Sequence, residues 1–417
     1  MAKKPAAGTS GRHEFLPKTK KLIAERASYR CVVPGCKVPT IGPGAKFDDV
    51  SNAGSASHIY SAAENGPRGR AGLTPTQIKS PQNGIWTCRT HGTEIDNNKG
   101  ERYPAALLLG WKALQEAQLR REQDGRHTPV GWIHELKIIQ SWLFKSDEAL
   151  TLGKATLLQG PPFGKSALCD WISTSLGGKH EDRWISSLGL TILNLKIFAP
   201  EEQAIELKFD NQQRTFAANG VPVSEAPKRG SAVFFRQSAW SLYPRSDDDD
   251  DDELIGQLLG FERDVVRGLI HDIQRNGTKW GRLIAFYHEE DFEDDDHGEP
   301  VPTGGRTWTL RRGGPTGVTF RGLAGSEQER ILIEFAAALA RERAAFSPTV
   351  LLLDGSGWNF DDGNMALLAE YLIGQPFQTI LTMRGGWQPN QAAPWWGWSR
   401  VVLIGKQYSA QIASHDW

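Results

Sequence analysis

The sequence is poor in sulfur-containing residues and in net charge, and it contains no long apolar run. It has 4 cysteines and 3 methionines in 417 residues, and its 48 basic residues nearly balance its 49 acidic ones. This balance neither requires nor excludes a nucleic-acid partner. No stretch approaches the ~20 apolar residues that cross a bilayer, and the N-terminus lacks the apolar core of a secretory signal. We therefore expect a cytoplasmic protein with no membrane partner and with reduced cysteines.

The length favours two or three domains, and the texture of the sequence changes near residue 126. We predict a first domain over residues 1–125, which begins with a flexible basic lead over 1–15, and a second over 126–417, joined by a polar linker at 123–129. Apolar spacing predicts helices over 16–30, 103–121, 166–176 and 325–346 and strands over 155–158, 190–198, 232–235, 349–353 and 378–383.

Two acidic runs, Asp247–Glu253 and His288–Asp296, are expected to be solvated loops. A role as a DNA mimic or a metal site is the alternative for them. The tail contains Trp387, Trp395, Trp396 and Trp398, which either stack on bases or pack against the sheet or an interface.

Three of the four cysteines fall within the first ninety residues. Cys31 and Cys36 bracket a turn, and Cys88 and His91 form a C-x-x-H pair. Two pairs of soft ligands on tight turns supply the four corners of a structural zinc site. The alternative is three buried thiols and an unrelated surface histidine.

Further landmarks lie between and after these pairs. They are Gly54–Ile59, Gly66–Arg68, Asn83–Cys88, Ile95-Asp96, Tyr103-Pro104 and Trp111-Lys112. Their order resembles the HNH endonuclease family, in the variant whose α+β (ββα-metal) fold is stapled by a structural zinc. The resemblance covers roughly residues 15–121.

The resemblance implies that His58 is the general base on the attacking water, a task that suits a pKa near neutral. It implies that Asn83 orients the base and its loop. A catalytic Mg²⁺ or Mn²⁺ is expected, but Ser57 and Gly92 stand where many relatives carry metal ligands. Asp96 is the substitute ligand that we predict; a helix-start role is its alternative. Arg68 and the basic lead either grip DNA phosphates or serve solubility.

The segment Thr156–Ser166 follows a predicted strand and opens a predicted helix, which is the context of a phosphate-binding loop. Gly160 and Gly164 would cradle phosphates with backbone N–H groups, Lys165 would reach the terminal phosphates, and Ser166 would bind Mg²⁺. Gln159 occupies the position of the first glycine of the motif. An ordinary strand–helix turn is the alternative.

Four later segments extend this pattern: Gln237 as a Q-loop residue, Leu323–Gln328 as a signature motif, Val350–Asp354 as a Walker B strand and Phe360-Asp361 as a D-loop. Together they resemble the α/β P-loop fold of ABC-type ATPases of the SMC and RecF kind, without a long coiled coil, over about residues 130–405. The resemblance implies an ATP-bound homodimer or higher homo-oligomer, in which Gly325 and Ser326 face the γ-phosphate held by the partner.

The sequence departs from the ABC-type pattern at three positions that bear on ATP hydrolysis. Gly355 replaces the catalytic glutamate, Met383-Arg384 replaces a switch histidine, and Ala324 replaces the signature serine. They predict slow or absent ATP hydrolysis. A degenerate head that only dimerises is the alternative, and Cys169 is expected to be a core residue.

The two resemblances together predict a metal-dependent DNA endonuclease gated by a nucleotide-binding domain. The pairing resembles bacterial anti-phage systems such as Septu, which implies a possible further defence-system subunit as partner. Two alternatives stay open. One is an HNH effector switched on by a cyclic nucleotide, and the other is a non-catalytic zinc-containing DNA-binding clamp.

Overall fold

A computed structural model describes residues 11–34, 36, 38–123, 130–178, 189–198, 202–210, 213–237, 250–294, 300–355, 357–388 and 393–416. The chain divides into two compact units. Unit 1 comprises residues 1–132, 197–203 and 345–348, and unit 2 comprises 133–196, 204–344 and 349–417. The predicted linker at 124–129, most of the predicted basic lead and parts of both acidic runs lie outside the described residues. No described helix is long and apolar enough to cross a membrane.

Unit 1 is built on a β-hairpin flanked by helices. Its elements are α1 Pro17–Arg26, β1 Ile41–Pro43, β2 Val50–Asn52, β3 Gly54–His58, α2 Pro75–Ile78, β4 Gly84–Cys88, α3 Arg89–Glu94 and α4 Ala105–Gln123. β3 pairs antiparallel with β4, and α1 and α3 both contact this hairpin. Burying Ile59, Ile85, Ile95 and Leu108 in one cluster fixes these elements around it.

Unit 2 contains a mostly parallel sheet and further antiparallel strands. The strands are β5 Val130–Gln140, β6 Glu148–Gly153, β7 Ala155–Gly160, β8 Thr191–Phe198, β9 Glu202–Asp210, β10 Gln213–Ala218, β11 Val221–Val223, β12 Ser231–Arg236, β13 Ile284–Asp294, β14 Pro300–Arg312, β15 Val318–Thr319, β16 Thr349–Asp354, β17 Gln378–Arg384, β18 Trp398–Ile404 and β19 Gln411–Asp416. The helices are α5 Lys165–Ser175, α6 Asp251–Leu259, α7 Arg263–Asn276, α8 Gly325–Ala344 and α9 Asp362–Ile373.

The strand order β12-β16-β17-β7-β18-β19 places the predicted nucleotide motifs at one edge of this sheet. The first five strands run parallel, and β19 is antiparallel. β17 lies between β7 and β16, so the predicted phosphate loop and the predicted Walker B strand are not neighbours. Arg236 lies opposite Asp354, and Arg384 lies opposite Gly160. The carboxyl ends of parallel strands, where ligands bind in open α/β sheets, therefore gather these residues.

Each predicted strand and helix has a counterpart, but the bounds differ. The helix predicted over 16–30 ends at Arg26, because Ser28 and Tyr29 adopt positive φ values of 46° and 54° that a helix cannot continue through. Of the predicted basic lead only residues 11–15 are described. Phe15 is buried and the His13 amide donates to the Ala62 carbonyl, so this end of the lead is attached to unit 1, while Gly11, Arg12 and Glu14 are exposed.

The prediction of a solvated acidic loop was wrong for Asp251 and Asp252, whereas Glu253 on the same helix is exposed. Asp251 and Asp252 begin α6 with 3% and 0% of their surface exposed. Asp251 accepts from the Leu310 amide and pairs with Arg321, while Asp252 pairs with Arg267 at 2.9 Å. Buried carboxylates persist only when paired in this way, and burial raises the pKa of both. In the second run, residues 288–294 belong to strand β13 rather than to a loop.

The tryptophan-rich tail is split between core and surface. Trp395 and Trp398 are buried in the main cluster of unit 2, whereas Trp396 is exposed. The packing alternative therefore applies to Trp395 and Trp398. Cys169 is fully buried, as expected of a core residue.

Candidate functional site

The four predicted zinc ligands converge in unit 1. The ligand atoms of Cys31, Cys36, Cys88 and His91 all lie within 4.8 Å of one another. The imidazole Nδ1 of His91 is 3.5 Å from the Cys31 Sγ and 3.2 Å from the Cys88 Sγ. Three thiols and one imidazole at this spacing could hold a tetrahedral metal ion, and sulfur and nitrogen are the donors that zinc prefers.

A second layer of side chains supports His91. Its Nε2 is 4.0 Å from the Glu94 carboxylate, which accepts a 2.6 Å hydrogen bond from the Tyr103 hydroxyl. At 4.0 Å the contact between His91 and Glu94 is longer than a hydrogen bond. The Tyr103 hydroxyl therefore holds Glu94 near the imidazole without fixing the tautomer of His91.

His58 ends strand β3 with its ring held on one face. The Phe15 ring stacks on it with centroids 3.7 Å apart and planes 2° from parallel. Burial lowers the pKa of His58, while the Glu14 charge and a hydrogen bond with the His13 backbone oppose that shift. The His58 Nε2 is buried without a hydrogen-bond partner in the described part of the chain. The ring is therefore held inside unit 1, with its Nε2 shielded from water.

Asn83 braces the loop beside His58. Its amide nitrogen donates to the carbonyls of Tyr60 and Ile78 at 2.9 and 3.1 Å, and its amide oxygen accepts from the Tyr60 N–H at 2.8 Å. Its own carbonyl accepts from the Ile59 N–H. All three of its side-chain bonds go to backbone, so Asn83 fixes the chain that follows His58 rather than the imidazole itself.

Lys112 holds the same loop from α4. Its Nζ donates to the carbonyls of Pro81, Gln82 and Gly84, which surround Asn83. Burial lowers the pKa of Lys112 to about 8. One side chain thus pairs three backbone carbonyls of this loop, of which that of Pro81 also accepts from the Gly84 N–H.

Arg68 is a structural residue, which corrects the expectation that it grips DNA. Its side chain is 5% exposed and pairs with Asp96 at 2.6 Å. The same guanidinium donates to the carbonyls of His58, Ile59 and Ile95. Its donors are therefore turned inward. The Asp96 carboxylate, our predicted Mg²⁺ or Mn²⁺ ligand, is half exposed and held by this pair.

The two positions that depart from the HNH pattern face each other. A Cβ atom on Gly92 would lie 2.8 Å from the Thr87 Oγ1 and 3.4 Å from the Ser57 Oγ. The two hydroxyl oxygens are 3.0 Å apart. This place offers hydroxyls where carboxylate or imidazole would bind a cation. Among the described residues, the only group of three or more acidic, cysteine or histidine side chains close enough for a metal is the Cys/His cluster.

The predicted phosphate loop joins β7 to α5 in unit 2. Gly164, with φ of 89°, precedes Lys165, and a Cβ there would lie 2.9 Å from the Phe144 ring. The Lys165 ammonium donates to the carbonyls of Gly160 and Pro161. Burial lowers the pKa of Lys165, and the Asp354 charge opposes the shift. The ammonium thus satisfies itself within the loop, at the place where phosphate oxygens would otherwise accept from it.

The end of β16 meets this loop. The Ser166 hydroxyl donates to the Asp354 Oδ1 at 3.1 Å, and the Thr382 hydroxyl of β17 is 3.3 Å from the same oxygen. Gln159 points elsewhere. Its amide donates to the Trp387 carbonyl and accepts from Arg400, which explains how a side chain is tolerated at a glycine position.

Trp358 fills the space beside Gly355. A Cβ on Gly355 would lie 2.5 Å from the indole, whose N–H donates to the Thr382 carbonyl at 2.9 Å. A glutamate at 355 would therefore collide with a buried ring. Gln237 is also engaged, because its amide donates to Glu329 and to the Gly357 carbonyl, both at 2.8 Å.

The segment that contains the predicted signature residues forms its hydrogen bonds with residues outside the predicted phosphate loop. Gly325 begins α8, and the Glu327 carboxylate accepts from the Ala324 N–H at 3.2 Å while pairing with Arg312. Ser326 follows Gly325 on the half-exposed first turn. Lys165 and Ser166 bond instead to carbonyls of the loop and to Asp354.

Sequence reasoning missed several of these neighbours. Phe15 and Trp358 are single aromatic residues that belong to no motif. Arg236, which pairs with Asp354, directly precedes the predicted Q-loop residue. Lys112 was noticed only as a landmark. A lone apolar residue before a helix was the one available signal for Phe15.

Comparisons with known proteins give structural neighbours only. No family model and no curated protein matches the chain. An SMC head bound to the C-winged helix domain of ScpA is 12% identical over 68% of this chain and 98% of that chain, with a TM-score of 0.46. The SMC head domain from Thermotoga maritima is 14% identical over 68% and 99%, with a TM-score of 0.39. The recombination mediator RecF with ATP is 11% identical over 69% and 99%, with a TM-score of 0.42. At these scores the similarity does not establish a shared fold.

We predict that Lys112→Met destabilises the protein by about 3 kcal/mol, because three carbonyls lose their donor. The lowered pKa also sets a pH dependence. Between pH 8 and 10.5 the unfolded chain holds the lysine proton that the folded chain has released, so wild-type stability gains relative to the variant as pH rises.

Urea unfolding across this pH range measures both effects. Lys18→Met, which removes an exposed lysine of α1, is the matched control and should change little. A Lys112→Met protein as stable as that control would contradict the role we assign to Lys112.

Proposed function

We propose that unit 2 binds a nucleoside triphosphate, with ATP as the first candidate. The observation that carries this is the hydrogen bond from Ser166 to Asp354, which joins a glycine-flanked loop at a helix start to the carboxyl end of a non-adjacent strand. Lys165 lies in the same loop with its ammonium turned toward the loop carbonyls. Loops of this kind present backbone N–H groups and one ammonium to phosphates.

We propose further that hydrolysis is slow or absent. Gly355 carries no carboxylate, and the Trp358 indole takes up the adjacent space. A bound nucleotide would then act as a ligand that stabilises one state of the protein rather than as a fuel. Dimerisation through Gly325 and Ser326 of a second copy belongs to the same proposal and follows from the ABC-type resemblance.

For unit 1 we propose phosphodiester hydrolysis in DNA with His58 as the general base. The support is the place of His58 at the end of β3, where the HNH pattern has its base, with the ring stacked on Phe15. Its Nε2 is buried in the described chain, so catalysis would require the attacking water to gain access to it. Zinc held by the Cys/His cluster would stabilise the β3–β4 hairpin, which carries His58. A catalytic Mg²⁺ or Mn²⁺ would have to recruit Asp96 away from Arg68.

A second candidate is a zinc-stapled clamp that binds DNA without cutting it. It is favoured by Ser57, which offers a hydroxyl, and by Gly92, which offers no side chain, at positions where the HNH pattern has stronger metal ligands. Either activity, controlled by nucleotide in unit 2, would suit an anti-phage effector of the Septu kind, alone or with a further subunit. A cyclic-nucleotide trigger is the alternative form of control.

For the metal we expect one zinc ion per chain, lost in Cys88→Ser. Removing one of four ligands from such a site costs most of its affinity and much of the stability of unit 1. Elemental analysis and thermal unfolding of the purified protein measure these effects. Cys169→Ala, a change of a thiol buried in unit 2, should keep the metal. Equal zinc in wild type and Cys88→Ser would contradict the assignment.

For the nucleotide we expect Lys165→Ala to weaken ATP binding by at least about tenfold, because a charge-assisted phosphate contact is lost. Isothermal titration calorimetry measures it. Lys154→Ala, which removes a lysine that bonds the Ile373 carbonyl, serves as a control for general damage to unit 2. Undiminished ATP affinity in Lys165→Ala would exclude the phosphate-loop assignment.

For the nuclease we expect plasmid cleavage with Mg²⁺ or Mn²⁺ that changes when ATP is added and that disappears in His58→Ala. His134→Ala, another histidine with a buried ring nitrogen, is the control outside unit 1. DNA binding without cleavage in every buffer, unchanged in His58→Ala, would favour the clamp instead. Cleavage triggered by a cyclic nucleotide and unaffected by Lys165→Ala would favour the third possibility.

A further inference from the structure

Residues 11–16, the cover segment, run across one face of His58 before α1 begins. The Phe15 ring lies parallel to the imidazole with the centroids 3.7 Å apart, and the His13 backbone is hydrogen-bonded to the same imidazole. A six-membered ring is larger than an imidazole, so it overhangs both ring nitrogens on that side. The His58 Nε2, the atom that would take a proton from water, is buried.

Two hydrogen bonds attach the backbone of the cover segment to the loop between β3 and α2. The His13 N–H donates to the Ala62 carbonyl at 2.9 Å, and the Arg70 guanidinium donates to the Gly11 carbonyl. Residues 11–16 belong to no helix or strand, and those other than Phe15 are exposed or half-buried. A segment without helix or strand hydrogen bonds opens at a lower free energy than the elements around it.

Two side chains that contact the cover segment each bury a polar atom without a hydrogen-bond partner in the described chain. These atoms are the Nε2 of His58 and the Nε of Arg70. Burying such an atom forfeits its hydrogen bonds to water, which costs free energy. When the cover segment moves away, both atoms regain water. The closed arrangement therefore carries a penalty that opening relieves.

The apolar contact of Phe15 opposes this opening. Phe15 packs in the cluster that also contains Ile23 of α1 and Trp86 of β4, and its removal would return apolar surface to water. The hairpin itself does not depend on this contact alone, because Asn83 and Lys112 hold its end through hydrogen bonds to residues outside the cover segment. The segment can thus open while the hairpin stays folded.

We propose that the cover segment is an autoinhibitory element, which must lift from His58 before the imidazole can accept a proton from the attacking water. The inference rests on the DNA hydrolysis proposed for unit 1. A general base must lie within hydrogen-bond reach of the proton that it takes, and a parallel phenyl ring at 3.7 Å leaves no room for water between the two rings. Unit 1 then cuts only in the fraction of molecules whose cover segment is open.

The test compares access to His58 with DNA cleavage in the full chain. Diethyl pyrocarbonate acylates accessible neutral imidazoles, and mass spectrometry of the digested protein follows each histidine separately. In wild type we expect His58 to react at least about tenfold more slowly than His271, an exposed histidine of α7.

Two variants loosen the cover segment in different ways. Phe15→Leu keeps an apolar side chain in the cluster but removes the parallel ring, and Arg70→Gln removes the donor to the Gly11 carbonyl. We expect each variant to raise the modification rate of His58 by at least about threefold, because the open fraction increases. The rate of plasmid cleavage at saturating DNA should rise with it.

Phe47→Leu and Arg120→Gln make the same exchanges at exposed residues of unit 1 and should behave as wild type. Wild-type His58 that reacts as fast as His271 would overturn this inference and leave the proposed function standing. Variants that cut no faster than an active wild type would do the same. Faster modification in the variants with no cleavage in any of these proteins would overturn the nuclease proposed for unit 1, and the inhibitory role with it.

Discussion

Unit 2 is organised around the carboxylate of Asp354. Three neighbouring elements reach it: α5 through Ser166, β17 through Thr382 and β12 through Arg236. A buried carboxylate is stable only when such donors compensate its lost hydration. The strand order satisfies this requirement, because β17 separates the loop strand from β16 and brings a hydroxyl to the gap. Any change in what Asp354 binds must therefore be felt in the loop, in the sheet and at Gln237 together.

In unit 1, too, polar side chains from several elements converge on one feature, the β3–β4 hairpin. The hairpin β3–β4 is short, and burial alone does not fix its ends. Four soft ligands close one end, and Asn83 with Lys112 holds the other through backbone carbonyls. His58 lies at the second of these ends, opposite Gly84 and stacked on Phe15. Its ring is thereby fixed, which is the precondition for a general base and equally for a rigid DNA-binding surface.

Sequence patterns could predict residues that are joined by short spacing. The C-x-x-H pair, the glycine-flanked loop and the apolar strand ending in Asp354 each repeat a local rule, and the structure brings their members together. Patterns could not predict contacts made by side chains far apart in sequence. Phe15 meets His58 across forty-odd residues, and Arg236 meets Asp354 only because two strands are neighbours. The prediction for the first acidic run was wrong for the same reason, because the arginines that pair with Asp251 and Asp252 lie on other elements.

The departures from the two resemblances share a physical character. Ser57 carries a hydroxyl and Gly92 no side chain where the HNH pattern has cation ligands, and beside Gly355 an indole fills the space that a carboxylate would need. Arg236 pairs with Asp354, the carboxylate of the predicted Walker B strand. Each change removes or occupies a group that would bind a cation or activate water. A site built in this way responds to the occupancy of its ligand rather than to its turnover, which is the behaviour required of a switch. Under the proposed gating of unit 1 by unit 2, the control of DNA cleavage would depend on how long nucleotide stays bound.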